Sequence, residues 1–150
     1  PLYSSAASDV YKRQKLPETI ERLEGASFRG ARLERINIPK SVKYIAPYAW
    51  GEVRRVPKHD VATDNPNYCS DSQGALYSKN YTTLQSVPSD VNPTGGVYTV
   101  DSRVQKITNP AFRLIEGLKK IVLPKDLKEI EAGYPTIAPT STLEAFEIPV

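Results

Sequence analysis

His59 and Cys69 are the two side chains of this chain best suited to chemistry, and each is the only residue of its type among 150. A cysteine beside a histidine can form a nucleophile–base pair, and both lie near the Asn65-Pro66 turn. Two solitary residues in a loop-rich stretch are more often plain surface residues. They also fall short of the three or four ligands that zinc requires. The sequence therefore predicts no enzyme activity, no metal and no cofactor.

Oxygen-bearing side chains are dense in the same stretch and could in principle coordinate calcium. Asp and Asn residues next to Pro and Gly more often accept hydrogen bonds within turns. We expect turns here, formed by Asp60, Asp64, Asn65, Asn67, Asp71 and Ser72.

The composition, 39% hydrophobic and 25% charged residues, is that of an ordinary globular domain. The formal net charge is only +3, and the charges are spread along the chain without the basic stripe that a nucleic-acid surface needs. No apolar run approaches the roughly 20 residues of a membrane-spanning helix. We expect neither a nucleic-acid partner nor membrane insertion, and the sequence leaves the oligomeric state open.

The first fourteen residues have a different origin from the rest. Residues 4–14 read SSAASDVYKRQ, which matches the translation of a transposase-based sequencing adaptor. Such segments are removed before fold reasoning, so residues 1–14 are expected to be a non-native, disordered tail. The stretch lacks the apolar core of a signal peptide, and the chain contains no methionine. We therefore expect a fragment of a longer protein.

One apolar template occurs twice without a gap, at residues 33–45 (LERINIPKSVKYI) and at residues 118–130 (LKKIVLPKDLKEI). Such self-similarity is typical of a repeat protein. Related copies give repeats near 16–32, 33–52, 97–117, 118–142 and 143–150, the last of them truncated. Residues 53–96 depart from the template and form an atypical insert. One repeat alone buries too little apolar surface, so the stacked repeats form a single solenoid domain over residues 15–150.

Each repeat contains an apolar-x-apolar triplet, which predicts a short strand, and the proline after it ends that strand. The next segment spaces its apolar residues by three and four, which predicts a helical or 3₁₀ return. Within the insert, residues 74–84 predict two short strands about a turn. The strand residues expected to point into the core are Ile36, Ile38, Ile121, Leu123, Phe146 and Ile148.

The repeat LERINIPKSVKYIAPYAW resembles the BspA-type leucine-rich repeat of bacterial surface proteins, and NPNYCSDSQGALYSKNYTTLQSVP is similar to an insert of that family. Trp50 departs from the usual phenylalanine, and Asp101 replaces the proline. The resemblance implies a strand-rich α/β leucine-rich-repeat solenoid, with short parallel strands on one face and turns with short helical returns on the other. It also implies an extracellular or cell-surface location and a role in adhesion to host proteins or in glycan binding.

Residues that alternate with the core positions of the strands should face outward and form a continuous surface. The candidates for binding on this face are Arg35, Asn37, Lys120, Val122 and Glu147. Their mixed charge suits a protein or glycan, although the face could equally be merely solvated.

Three tyrosines of the insert form a second candidate set, because exposed tyrosines are favourable at interfaces. These are Tyr68, Tyr77 and Tyr81, for which packing within the insert is the more common role. The sequence thus favours a non-enzymatic adhesion or binding module for a protein or glycan. The alternative is a structural spacer that carries a functional domain elsewhere in the parent protein.

Overall fold

The computed structural model describes residues 13–131, 137–138 and 145–147. Regular structure in these residues consists of short strands and one 3₁₀ turn, η1 (Thr94–Gly96). The strands are β1 (Arg13–Lys15), β2 (Arg22–Leu23), β3 (Arg35–Ile38), β4 (Tyr44–Ile45), β5 (Lys58–Val61), β6 (Tyr68–Ser70), β7 (Leu76–Ser78), β8 (Thr83–Ser86), β9 (Val97–Thr99), β10 (Lys106–Ile107), β11 (Phe112–Arg113), β12 (Lys120–Val122), β13 (Glu129–Ile130), β14 (Ile137–Ala138) and β15 (Ala145–Glu147).

Two three-stranded parallel sheets form one face of a solenoid of about five turns. One sheet has the order β1-β3-β5 and the other the order β15-β12-β9. Ile36, Ile38 and Ile121 are at most 1% exposed and Leu123 is buried, as the apolar-x-apolar pattern predicts. The outward residues of these strands are mostly polar or charged, with Val97, Val122 and Ala145 as the exceptions, so this strand face separates core from surface with a period of two.

The return side of the solenoid is built from turns, as predicted, and from two-residue strands, which take the place of the short helical segments in the described residues. The carbonyls of Pro17, Pro39, Pro88 and Pro124 each accept a hydrogen bond from the amide three residues later, at 3.1 to 3.2 Å. Asp101, which replaces the proline in its repeat, makes the same turn at 3.0 Å. Parallel pairs then follow on the return side: β2 with β4, β8 with β10, and β10 with β13.

The insert forms the predicted hairpin, in which β7 pairs antiparallel with both β6 and β8. We call these three strands the insert hairpin. Leu76 packs in the core of the first repeats, whereas Tyr77 and Ala75 pack in the core of the later ones. Because neighbouring residues of a strand point to opposite faces, the hairpin lies between the two cores and contributes to both.

Strands β15, β5 and β1 differ in part from what the sequence predicts. Phe146 pairs with Ile121 in register but is 51% exposed, because no described strand covers its outer side, and Ile148 lies outside the described residues. Strand β5, within residues assigned to the insert, pairs parallel with β3 like any repeat strand. Strand β1 includes Arg13 and Gln14 of the expected tail and pairs with β3, while residues 1–12 lie outside the description.

Asn65 fixes the start of the insert to the repeat before it. Its side chain is fully buried, and Nδ2 donates to the carbonyls of Pro39 and Val42 at 2.9 and 3.1 Å. Its Oδ1 accepts from the amides of Asn67 and Tyr68 at 2.8 and 2.9 Å. Both N–H donors and both acceptor positions of this buried amide group are thereby used, as burial requires.

Replacing Asn65 with alanine should lower the free energy of unfolding by about 3 kcal/mol, because buried carbonyls and amides lose their partner. Chemical denaturation of the Asn65→Ala chain measures this. Asn67→Ala, an exposed asparagine two residues away, is the matched control and should change stability by less than about 0.5 kcal/mol. Equal effects of the two substitutions would contradict this role for Asn65.

Candidate functional site: the strand face

The outward residues of the strand face lie in register across neighbouring strands. Arg35 is opposite Lys58, and Asn37 is opposite Asp60. In the second sheet, Lys120 lies between Val97 and Ala145, and Val122 lies between Thr99 and Glu147. The five residues predicted for binding are all half-buried or exposed, and they belong to two patches, Arg35 with Asn37, and Lys120 with Val122 and Glu147.

Ion pairs cross both patches on the same diagonal. Arg35 Nη1 donates to both carboxylate oxygens of Asp60, at 2.6 and 2.7 Å, and this pairing raises the pKa of Arg35. Lys120 Nζ pairs in the same way with Glu147 on the next strand. The cation is at the first outward position of one strand and the carboxylate at the second outward position of the next. Exposed pairs of this kind contribute little to stability, so they mainly define the charge pattern of the face.

The turn between β6 and β7, residues 71–75, lies on the strand face between β5 and β9. We call it the insert turn. The Gly74 carbonyl accepts a hydrogen bond from the His59 amide of β5 at 3.0 Å. A Cβ on Gly74 would lie 2.8 Å from Lys58 Cβ, and φ is +84°, so only glycine fits this approach. Gln73, on the other side of the turn, lines a groove with Val97 and Thr99 of β9.

Asp71 holds the insert turn in shape. Its Oδ1 accepts from the amides of Gln73 and Ala75, both at 2.9 Å, and its Oδ2 accepts from the Tyr77 hydroxyl at 3.2 Å. The Tyr77 and Tyr98 hydroxyls also hydrogen bond, which connects the turn to β9. Burial raises the pKa of Tyr98 to about 12, so this hydroxyl is protonated at physiological pH.

Burial removes two of the three insert tyrosines from the candidate binding surface. Tyr77 is 2% exposed, and Tyr68 is 7% exposed with its hydroxyl accepting the Ile45 amide at 2.9 Å. Tyr81 is half-buried. Its ring is tilted against that of Tyr77, with ring centres 4.8 Å apart, and the Arg103 guanidinium lies 3.7 Å from its ring centre. The small insert needs these rings for its own packing, and this correction leaves the strand face as the binding candidate.

His59 and Cys69 are held apart by different backbone partners. His59 is fully buried against Trp50, with ring centres 4.8 Å apart, and its Nδ1 lies 2.7 Å from the Gly74 carbonyl oxygen. Cys69 Sγ donates to the Ser78 carbonyl at 3.2 Å, and burial raises the pKa of its thiol. No hydrogen bond joins the two within residues 13–131. The nucleophile–base arrangement considered from sequence is therefore not formed in this structure.

Asn65 and Asp71 make turns as the sequence predicts, whereas Asp60, for which a turn was also predicted, lies in strand β5. Asn65 and Asp71 accept amides within their own turns, and Asp60 pairs with Arg35. Among the described residues, no group of three or more His, Cys, Asp or Glu side chains could hold a metal ion.

Sequence reasoning missed several residues of the strand face because it assigned them to the insert. Lys58 and Asp60 belong to β5, whose inward position holds His59 where the repeat has an aliphatic residue. The spacing of 23 residues from Arg35 to Lys58, close to the 22 residues from Arg22 to Tyr44 in the preceding pair of strands, was the available signal. Gln73, in the insert turn, lies outside the template and offers no comparable signal.

Stacked parallel strands one repeat apart, with turns on the return side and a continuous apolar interior, define a leucine-rich-repeat solenoid. The chain belongs to the BspA type leucine rich repeat family, whose profile matches residues 7–87 and 97–149 in six copies. The match begins at residue 7, inside the stretch that was assigned to a sequencing adaptor. The adaptor origin of that stretch stays a prediction.

Three crystal structures share the fold. A leucine-rich repeat protein from Eubacterium ventriosum is 25% identical over 79% of this chain, with a TM-score of 0.60. A leucine rich cell surface protein from Faecalibacterium prausnitzii is 22% identical over 87% of this chain, with a TM-score of 0.70. The pneumococcal vaccine antigen PcpA is 22% identical over 92% of this chain, also with a TM-score of 0.70.

The chain spans 37%, 34% and 39% of those three structures, respectively. A comparison with proteins of curated function finds no match. No helix in the described part of the chain is long and apolar enough to cross a membrane.

Burial of His59 makes the stability of the chain depend on pH. Desolvation lowers its pKa from 6.5 to about 4 in the folded state, so between these values the unfolded chain binds a proton that the folded chain excludes. This contribution to stability is present above pH 6.5 and is lost as the pH falls towards 4, by about 3 kcal/mol. Urea titrations of the wild type and of His59→Gln at pH 4 and pH 7 measure it.

The difference in stability between the two pH values should be about 3 kcal/mol smaller for His59→Gln than for the wild type. The carboxylates titrate alike in both chains, so the difference between the stabilities of the two chains isolates the contribution of the His59 imidazole. Parallel stability curves for the two chains would show that His59 is not the titrating group.

Proposed function

We propose that this chain is a non-enzymatic binding module of a bacterial cell-surface protein and that its strand face contacts an extracellular protein partner. The family and the solved structures of its fold are repeat scaffolds, and two of the solved proteins are described as a cell-surface protein and a vaccine antigen. The repeated strand face is the surface of this chain that offers an extended, regularly spaced array of side chains.

The observation that carries the proposal is the repeated diagonal ion pair. Arg35 with Asp60 and Lys120 with Glu147 occupy equivalent positions in two sheets that are separated by the insert turn. Each pair leaves part of both side chains exposed, at 37% to 50% of the side-chain surface. Paired charges present donors and acceptors side by side, which matches a protein surface of mixed charge better than a polyphosphate.

The test uses the 150-residue chain on a panel of immobilised extracellular-matrix proteins, with affinity measured by surface plasmon resonance. Arg35→Ala combined with Lys120→Ala should weaken binding to the responding protein at least tenfold, because both removed cations lie in the proposed contact. The free energy of unfolding should change by less than about 1 kcal/mol, since these pairs are exposed.

The matched control is Lys43→Ala combined with Lys106→Ala. These lysines also pair with carboxylates, Lys43 with Glu21 at 2.7 Å and Lys106 with Glu131 at 2.7 Å, but they lie on the return side. Binding should be unchanged in this control. If both double variants lose affinity equally, or if the strand-face variant keeps it, the strand face is not the contact. If the wild-type chain binds no protein of the panel, the result would favour the alternative that this chain is a structural spacer.

A further inference from the structure

A groove on the strand face, beside the insert turn, differs in chemistry from the ion-paired patches. We call it the insert groove. It has a volume of about 210 Å³ and lies between the insert turn and β9. Its lining includes Gln73, Asn92, Thr94, Val97, Tyr98 and Thr99. We propose that the insert groove binds one ring of an uncharged carbohydrate.

Neutral hydrogen-bonding groups dominate the lining. Gln73, Asn92, Thr94 and Thr99 are exposed, and none of the described residues that line the groove is charged. A side-chain amide offers one acceptor oxygen and two N–H donors, and a hydroxyl both donates and accepts. Sugar hydroxyls need this combination, because each of them is also both a donor and an acceptor.

An apolar surface lies among these polar groups. Val97, at the edge of its sheet, is 38% exposed, which is unusual for a valine in this chain. A pyranose ring has an apolar C–H face next to its hydroxyl groups. Val97 can therefore cover that face while the amides and hydroxyls around it bond to the ring substituents.

Both walls of the insert groove are fixed before any ligand binds. On one side, Asp71 accepts the amide of Gln73 and so holds the insert turn. On the other side, η1 closes with the Gly96 amide donating to Pro93 at 2.9 Å. A Cβ on Gly96 would lie 2.8 Å from the Gly117 carbonyl oxygen, so the backbone of this wall is packed closely against the next repeat. Fixed walls reduce the entropy lost on binding.

The surroundings favour a neutral ligand over an acidic one. Two cations beside the groove already have carboxylate partners. Lys120, opposite Val97, pairs with Glu147, and Lys58, against Gly74 of the insert turn, pairs with Asp90 at 3.7 Å. An anionic sugar would have to compete with these pairs. The volume is also below the roughly 300 Å³ at which drug-sized pockets begin, which suits a single ring.

Asn92 also lines a second, larger cleft of about 570 Å³, together with Arg54, Arg55, Asp90 and Glu116. This cleft carries two cationic and two anionic side chains, so its formal charge is balanced. Further sugar units attached to the bound ring can continue past Asn92 into the cleft. The expected ligand is thus a neutral oligosaccharide and not an isolated monosaccharide.

The inference deepens the proposed binding role of the strand face and rests on it, but it uses residues outside the ion-paired patches. The 150-residue chain is applied to an array of neutral, sialylated and sulfated oligosaccharides, and the strongest neutral ligand is then titrated by calorimetry. Gln73→Ala, Asn92→Ala and Thr99→Val should each weaken binding about tenfold or more without changing the denaturation midpoint.

Two controls make the outcome specific. Ser72→Ala changes an exposed neighbour of Gln73 that does not line the groove, and it should leave sugar binding unchanged. Arg35→Ala with Lys120→Ala should also leave sugar binding unchanged while it weakens binding to the matrix protein. That pattern would show that the ion-paired patches and the insert groove are separate sites. If Arg35→Ala with Lys120→Ala loses only the interaction with the matrix protein, the groove proposal stands.

Three results would overturn the groove proposal. They are binding of acidic oligosaccharides alone, no binding to any arrayed sugar, and neutral-sugar binding that is insensitive to Gln73, Asn92 and Thr99. A groove that accepts only peptide segments of the matrix protein gives the second of these results. In each case the strand-face contact with a protein is still tested by its own variants.

Discussion

Strand β7 is the element on which both halves of the solenoid depend, because its consecutive side chains belong to different cores. Leu76 completes the interior of the first repeats, and Tyr77 is among the largest fully buried side chains of the later ones. A pleated strand can do this only because its side chains alternate between its two sides. The position of the insert turn on the strand face follows from this constraint, since the turn directly precedes β7.

Side chains of the insert replace backbone contacts that a regular repeat would supply. The Tyr68 hydroxyl accepts the Ile45 amide of β4, and Asn65 bonds to the carbonyls around the Pro39 turn. Buried backbone groups must find partners wherever a repeat ends. The insert is therefore part of the stack, and the surface features on either side of it, the ion-paired patches and the neutral groove, are held at a fixed separation.

The strands that fit the repeat template could be predicted because their inward positions are apolar and, except at Asp101, a proline follows them, as at Ile36, Ile38 and Pro39. Strand β5 could not be predicted, because His59 occupies a position that is aliphatic in the other repeats. Its imidazole packs against Trp50 and contacts the Gly74 carbonyl oxygen, which the sequence does not reveal. The return side was predicted as turns with short helical or 3₁₀ segments, because an apolar spacing of three and four fits such a segment as well as it fits the observed turn followed by a two-residue strand. The outward direction of Arg35 and Lys120 followed from alternation, but their carboxylate partners and the insert groove depend on contacts between strands distant in sequence.

The diagonal pairing of Arg35 with Asp60 and of Lys120 with Glu147 has a consequence for how such proteins diversify. These residues are partly exposed and, as surface pairs, add little to the free energy of folding. Their identities can consequently change in evolution while the aliphatic ladder beneath them stays the same. Proteins that share this fold at 22% to 25% identity can therefore carry different outward side chains on the same aliphatic framework.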